Sequence, residues 1–135
     1  MAQRVAEGAK AVSATKVLLK RVGEVSTDDL LFSDAVIVGS PVYFGNMSGE
    51  VKTFFDNWLL KFGVFRDFKM RNKVGGLEAM LVNQMIVVGG GGAFGASATT
   101  GPESPGIDDK ELAAARDLGK RVAEVAAMTK HGAPK

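Results

Sequence analysis

The pattern of apolar and polar positions is clearest between Asp34 and Leu60, where it predicts a strand, a loop and a helix in succession. Residues 35–38 are apolar and mostly β-branched without polar alternation, which is typical of a parallel strand covered on both faces. Apolar side chains then recur at helical period at Val51, Phe54, Phe55, Trp58 and Leu59. We expect this helix to begin near Ser48.

The same reasoning predicts elements on both sides of this unit. Residues 1–12 carry apolar side chains at helical spacing, and residues 26–32 indicate a short helical turn. Residues 15–22 have the composition of a strand, residues 77–84 look like the end of a helix, and residues 85–88 form a second apolar strand. The last helix begins at Asp108, with Glu111 completing a capping box, and extends to about Met128.

The loop over residues 41–47 is the most informative stretch for function. In a parallel α/β sheet, ligands bind at the loops that leave the carboxyl ends of the strands. This loop combines large apolar side chains with a glycine and an amide, namely Val42, Tyr43, Phe44, Gly45, Asn46 and Met47. Two interpretations stay open. Either the two aromatic rings meet a flat apolar ligand, such as a flavin ring, or they pack beneath the following helix.

Composition excludes several classes of protein and site. A chain of 135 residues with 46% hydrophobic and 24% charged residues suits one globular domain, and its uncharged stretches are too polar to span a bilayer. The formal charge of +2 comes from scattered basic residues and does not indicate a nucleic acid partner. With no cysteine and one histidine, His131, neither a metal site nor a catalytic triad is expected. The start shows no signal peptide, so we expect a cytoplasmic protein.

Two motifs carry a family resemblance, and they follow each other along the chain in the order found in that family. Residues 39–49, GSPVYFGNMSG, run into a helix that contains the pair Phe55-Asp56, and residues 93–97, AFGAS, precede a final helix of the form E-L-x-x-A-R-x-x-G at 111–119. These motifs resemble the second flavin loop and the later Gly-aromatic-Gly-Ala segment of the WrbA-type NAD(P)H:quinone oxidoreductases, a branch of the flavodoxin-like FMN proteins. The resemblance covers residues 34–56 and 93–128.

The resemblance implies a fold and its gaps. It implies a single flavodoxin-like α/β domain over residues 1–135, a three-layer sandwich whose parallel sheet has the order 2-1-3-4-5. From the resemblance we expect this chain to lack strand one with its phosphate loop and strand four with the third flavin loop. We therefore expect gaps between the remaining strands, and poor FMN binding by the 135 residues alone because the phosphate donors are absent.

The resemblance also implies an activity and a site. The family transfers two electrons from NAD(P)H to quinones through FMN, without an ionisable catalytic residue, and forms homo-oligomers (dimers or tetramers) whose active sites lie between subunits. The cofactor-binding positions implied here are Ser40, Pro41, Val42, Tyr43, Phe44, Gly45, Asn46 and, near the substrate face, Asn83. Independently, residues 58–68 hold more large apolar groups than a solvated loop should expose, which favours self-association.

Two alternatives to a quinone reductase remain. One is a flavodoxin-like carrier of single electrons. The formal net charge of +2 argues against it, because such carriers usually have an acidic surface. The other is a non-catalytic interaction module that keeps the flavodoxin scaffold and has lost FMN, which the missing loops favour. The basic and aromatic residues of segment 61–73 are expected to form a packed loop with cations on its surface rather than an RNA-binding site.

Overall fold

The computed structural model describes residues 1–75, 85–88, 96–98 and 106–132. Within these ranges the helices are α1 (Ala2–Lys10), α2 (Thr27–Phe32), α3 (Gly49–Leu60) and α4 (Asp109–Gly132). The strands are β1 (Ala35–Val36), β2 (Val42–Tyr43), β3 (Asn46–Met47), β4 (Val74–Gly75) and β5 (Ile86–Val87), and two 3-10 turns cover Val22–Glu24 and Arg66–Phe68. None of the helices in the described ranges has the length and apolar character needed to cross a bilayer.

The main sheet is parallel and has the order β1-β4-β5. Ala35 pairs with Val74, and Val74 pairs in turn with Ile86, so β4 is the central strand of the three. The gap expected from a missing fourth strand is therefore not present, because Val74–Gly75 fills the place between β1 and β5. Each strand is only two residues long by its pairing, which makes this a short ladder.

The strand predicted over residues 15–22 is not confirmed. Residues 15–21 pair with no strand among the described residues, and Val22 begins a 3-10 turn. Since the order 2-1-3-4-5 places strand one between strand two and strand three, a second strand can join the sheet only through the first. β1 is the edge of the described sheet, so a segment of suitable composition finds no neighbour with which to form a ladder.

Apolar side chains form one cluster on each face of the sheet. Val36 and Val38 pack against a cluster beneath α3, whereas Ala35 and Ile37 pack against a cluster beneath α4. Alternate residues of a strand point to opposite faces, so the two clusters lie on opposite sides of β1. This arrangement of helix, sheet and helix is the predicted three-layer α/β sandwich.

The cluster beneath α3 takes up three of the seven large apolar side chains of segment 58–68. Trp58, Phe62 and Val64 are buried there, together with Leu30, Phe54, Met70 and Met85. The prediction of a packed loop is confirmed, and the self-association expected from the exposed apolar groups of this segment stays a prediction. Only Leu59, Leu60 and Phe68 among its large apolar residues are substantially exposed.

The predicted helix starts agree with the observed caps. The Ser26 hydroxyl accepts from the Asp29 N–H while the Asp29 carboxylate accepts from the Ser26 N–H, which caps α2. Asp108 and Glu111 exchange the corresponding hydrogen bonds at the start of α4, at 2.7 and 3.0 Å. α4 runs to Gly132, slightly beyond the predicted end at Met128. Each such cap satisfies N–H groups that the first helical turn leaves free.

Two glycines allow α1 to lie directly against α4. A Cβ at Gly8 would lie 1.8 Å from the carbonyl oxygen of Arg116, and a Cβ at Gly119 would lie 1.9 Å from that of Val5. Both glycines are buried in the contact. Because the nearest atoms belong to backbone on both sides, the two helices touch without intervening side chains.

A lysine joins the end of α2 to the start of β4. The Lys73 ammonium donates to the carbonyl oxygens of Leu30, Leu31 and Ser33, at 3.1, 2.7 and 2.5 Å. These carbonyls lie at the carboxyl end of α2, where the helix leaves acceptors unpaired and its dipole favours a cation. Burial lowers the pKa of Lys73, and the nearby Asp34 carboxylate opposes that shift.

Candidate functional site

The loop that follows β1 folds into a small hairpin. β2 and β3 pair antiparallel, with Val42 opposite Met47 and Tyr43 opposite Asn46. The two turn residues, Phe44 and Gly45, have φ values of +51° and +77°. Positive φ at both central positions is the signature of a type I′ turn, which fits the twist of a hairpin. Glycine adopts this conformation freely, but phenylalanine does so only with strain.

The hairpin presents its aromatic residues to solvent. Phe44 is fully exposed, and Tyr43 and Val42 are 63% and 72% exposed. The interpretation that the two rings pack beneath α3 is therefore wrong. A strained backbone that holds a large apolar ring in water is unfavourable on both counts, and backbone outliers of this kind are enriched at ligand and active sites.

Hydrogen bonds fix the base of the hairpin to the helix behind it. The Ser40 hydroxyl donates to the Pro41 carbonyl oxygen at 2.7 Å and accepts from the Ser48 N–H at 2.9 Å. Ser48 is buried and caps α3, with its own hydroxyl accepting from the Val51 N–H at 3.4 Å. These contacts connect the start of the hairpin to the first turn of α3.

The structure brings seven of the eight predicted site residues together. Ser40, Pro41, Val42, Tyr43, Phe44, Gly45 and Asn46 all lie in or beside the hairpin. Asn83 lies outside the described residues. The Asn46 side-chain oxygen accepts from the Met47 N–H at 2.8 Å, so this amide also supports the local backbone. The sequence predicts that these residues share one loop, but it does not reveal that the Ser40 hydroxyl is hydrogen-bonded within the protein.

The chemistry available on the hairpin is apolar contact and backbone hydrogen bonding. Tyr43 is the only ionisable side chain between Ser40 and Asn46. The N–H groups of Phe44 and Gly45 have no hydrogen-bond partner among the described residues. Within the same ranges, no group of three or more acidic or histidine side chains is placed to hold a metal ion.

Comparisons with known proteins agree on the class of ligand. The profile of a family described as NADPH-dependent FMN reductase matches residues 9–101. An NAD(P)H dehydrogenase (quinone) from Geotalea uraniireducens is 32% identical, over 94% of this chain and 90% of that protein. A flavodoxin from Aquifex aeolicus is 46% identical over 44% of this chain. These relatives indicate FMN as the cofactor and NAD(P)H as the electron donor.

A solved structure supports the same fold. The flavodoxin, WrbA-like protein from Agrobacterium tumefaciens superposes with a TM-score of 0.72 and 26% sequence identity, over 94% of this chain and 87% of that chain. Coverage differs among the relatives. The chain spans 32% of the Aquifex flavodoxin and 61% of an iron-sulfur flavoprotein from Methanocaldococcus jannaschii, less than two thirds of either length.

The hairpin fits the ring system of FMN. An isoalloxazine is flat and apolar over its faces and carries hydrogen-bond acceptors along one edge. The exposed rings of Tyr43 and Phe44 offer the apolar contact, and the N–H groups of Phe44 and Gly45, which no described residue accepts from, are donors that suit such an edge. The phosphate of FMN needs donors converging at a helix N-terminus, and the expectation that the 135 residues alone bind FMN poorly stays a prediction.

Proposed function

Because this chain belongs to the NADPH-dependent FMN reductase family, we propose that it transfers two electrons from NAD(P)H to quinones. The observation that carries the proposal is the strained, solvent-exposed aromatic hairpin that follows a parallel strand. The choice of a quinone as acceptor is supported by the names of relatives that cover nearly the whole chain at about 30% identity.

The hairpin residues have binding and orienting roles in this proposal. Tyr43 and Phe44 flank the isoalloxazine, and the backbone from Pro41 to Gly45 holds its polar edge. We also assign Asn83 to the substrate face. FMN supplies the two-electron chemistry when it is bound. The side chains around it keep water from the ring and align it with a flat acceptor, and no carboxylate or imidazole of the hairpin is available for proton transfer.

Replacing Tyr43 or Phe44 by Ala tests the ring contacts. Burial and stacking of an aromatic side chain against the flavin together contribute roughly 1.5–3 kcal/mol to the free energy of binding. Each variant should therefore bind FMN about 10- to 100-fold more weakly. Binding is measured by quenching of flavin fluorescence. Phe32→Ala is the matched control, because Phe32 is 82% exposed on α2 and lies outside the hairpin. Equal FMN affinity in all three variants would refute the assignment of the hairpin.

Steady-state kinetics separate the proposed activity from its alternatives. NADH or NADPH oxidation is followed with a water-soluble benzoquinone in the presence of added FMN. Bound FMN together with quinone-dependent turnover supports the proposal. Bound FMN without turnover would contradict the quinone reductase activity and favour an electron carrier, and failure to bind FMN would contradict both and favour an interaction module.

A further inference from the structure

The hydroxyl of Ser40 occupies the junction between strand, hairpin and helix. It donates to the Pro41 carbonyl oxygen at 2.7 Å and accepts from the N–H of Ser48 at 2.9 Å. Ser48 is buried at the N-cap of α3, and Ser40 itself is half-buried. One side chain therefore joins the first residues of the loop to the first residues after it.

From this geometry we infer that Ser40 is a positioning residue, which fixes the hairpin to α3 and so sets where Tyr43 and Phe44 meet the flavin. The inference rests on the proposed function of the hairpin. A serine in this loop would otherwise be assigned to direct contact with the cofactor. Its hydroxyl hydrogen is already donated within the protein, however, so it has no further donor to offer a ligand.

Within the part of the chain that the structure describes, few other contacts hold the hairpin, so this connection matters. β2 and β3 pair over two residues each, and the largely exposed side chains of Val42, Tyr43 and Phe44 contribute little burial in the absence of a ligand. An isolated hairpin of this size is marginal in water. The contact from Ser40 to the buried Ser48 is thus a tether between the hairpin and the rigid helix, and its loss should let the two rings move.

The test compares Ser40→Ala with Ser40→Thr, which keeps the hydroxyl. Thr129→Ala is the control, since the Thr129 hydroxyl also donates to a backbone carbonyl, that of Ala126, at 3.0 Å, but within α4. Amide exchange of the Ser48 N–H is measured without flavin, and FMN affinity is measured by fluorescence quenching. In Ser40→Ala we expect faster Ser48 exchange and roughly three- to tenfold weaker FMN binding, the range of one net hydrogen bond. Ser40→Thr should restore both, and Thr129→Ala should alter neither.

The outcomes distinguish this role from others. If Ser40→Ala weakens FMN binding while Ser48 exchange stays unchanged, Ser40 contacts the cofactor directly and the positioning role is wrong. If Ser40→Ala binds FMN as the wild type does, or Ser40→Thr restores neither measurement, the positioning role is also wrong while the hairpin assignment stands. Failure of the wild-type chain to bind FMN would overturn the proposed function and this inference with it.

Discussion

Replacing Gly8 by Ala should separate α1 from α4 and destabilise the protein. The new Cβ would lie 1.8 Å from the Arg116 carbonyl oxygen, whereas real Cβ atoms are essentially never closer than 3.0 Å to such a neighbour. A carbonyl oxygen within a helix cannot rotate away as a side chain does. The helices must therefore move apart, which weakens the packing of α1 along its whole length.

The magnitude follows from two opposing effects. Overpacking a tight contact costs about 1–3 kcal/mol, and a contact between two backbones belongs at the upper end of that range. Replacing glycine by alanine inside a helix returns up to about 1 kcal/mol of helix propensity. We expect the free energy of unfolding to fall by about 2 kcal/mol, which lowers the Tm of a chain of this size by roughly 6 °C.

Gly49→Ala is the matched control for this prediction. Gly49 begins α3, and a Cβ there would meet nothing within 4 Å. The same substitution should then leave the free energy of unfolding unchanged or raise it slightly. Urea unfolding is followed by circular dichroism and by the fluorescence of Trp58, which is buried beneath α3 on the other face of the sheet. A change in circular dichroism that precedes the change at Trp58 would locate the defect in α1 and α4.

Gly119→Ala tests the same contact between α1 and α4 from the α4 side. Gly119→Ala produces the reciprocal clash, 1.9 Å from the Val5 carbonyl oxygen. Once one substitution has moved the helices apart, the second should cost less, so the double variant should lose less stability than the two single losses added together. If Gly8→Ala unfolds at the same urea concentration as Gly49→Ala, the direct contact between the two helices is wrong.

Two further predictions concern pH and assembly. A hydrogen bond from the Lys20 ammonium, and secondarily hydrogen bonds from Ser26, lower the pKa of Asp29 from 3.8 to about 2. The ionised Asp29 carboxylate therefore stabilises the folded protein fully above pH 3.8, and this stabilisation is lost as the pH falls towards 2. Asp29→Asn should flatten this part of an acid unfolding profile relative to Asp28→Asn, and parallel profiles would contradict the assignment. We also expect a homo-oligomer, because the apolar side chains of Leu59, Leu60 and Phe68 in segment 58–68 are exposed; light scattering that gives a monomer throughout the micromolar range would exclude it.

Local patterns were sufficient for the helices of the described ranges and for their starts, whereas the helix predicted to end over residues 77–84 lies outside the described residues. The apolar stripe of α3 correctly predicts that Val51, Phe54 and Trp58 are buried. Leu59 lies at the margin of that stripe and is 45% exposed, because the apolar stripe extends beyond the part of the helix that packs against the core. Capping residues mark helix starts reliably, since each cap is a hydrogen bond between residues only three apart.

Pairing between strands could not be predicted in the same way. Residues 15–22 have the composition of a strand, yet no described strand lies beside them. Conversely, Val74–Gly75 shows no strand pattern, because two residues carry no periodicity and one of them is a glycine. It is nevertheless the central strand, with a partner on each side. Strand formation depends on neighbours distant in sequence, which local composition does not specify.

The position of the hairpin depends on a similar long-range contact. β1 and β4 pair over two residues each, too few to fix their alignment by the ladder alone. Lys73 directly precedes β4, and its ammonium binds three carbonyls at the end of α2, immediately before Asp34 and β1. These bonds align the start of β1 with the start of β4. They therefore fix the position of the carboxyl end of β1 in the sheet, and the hairpin extends from that end. The aromatic loop is thus positioned at two points, by Lys73 before β1 and by Ser40 after it.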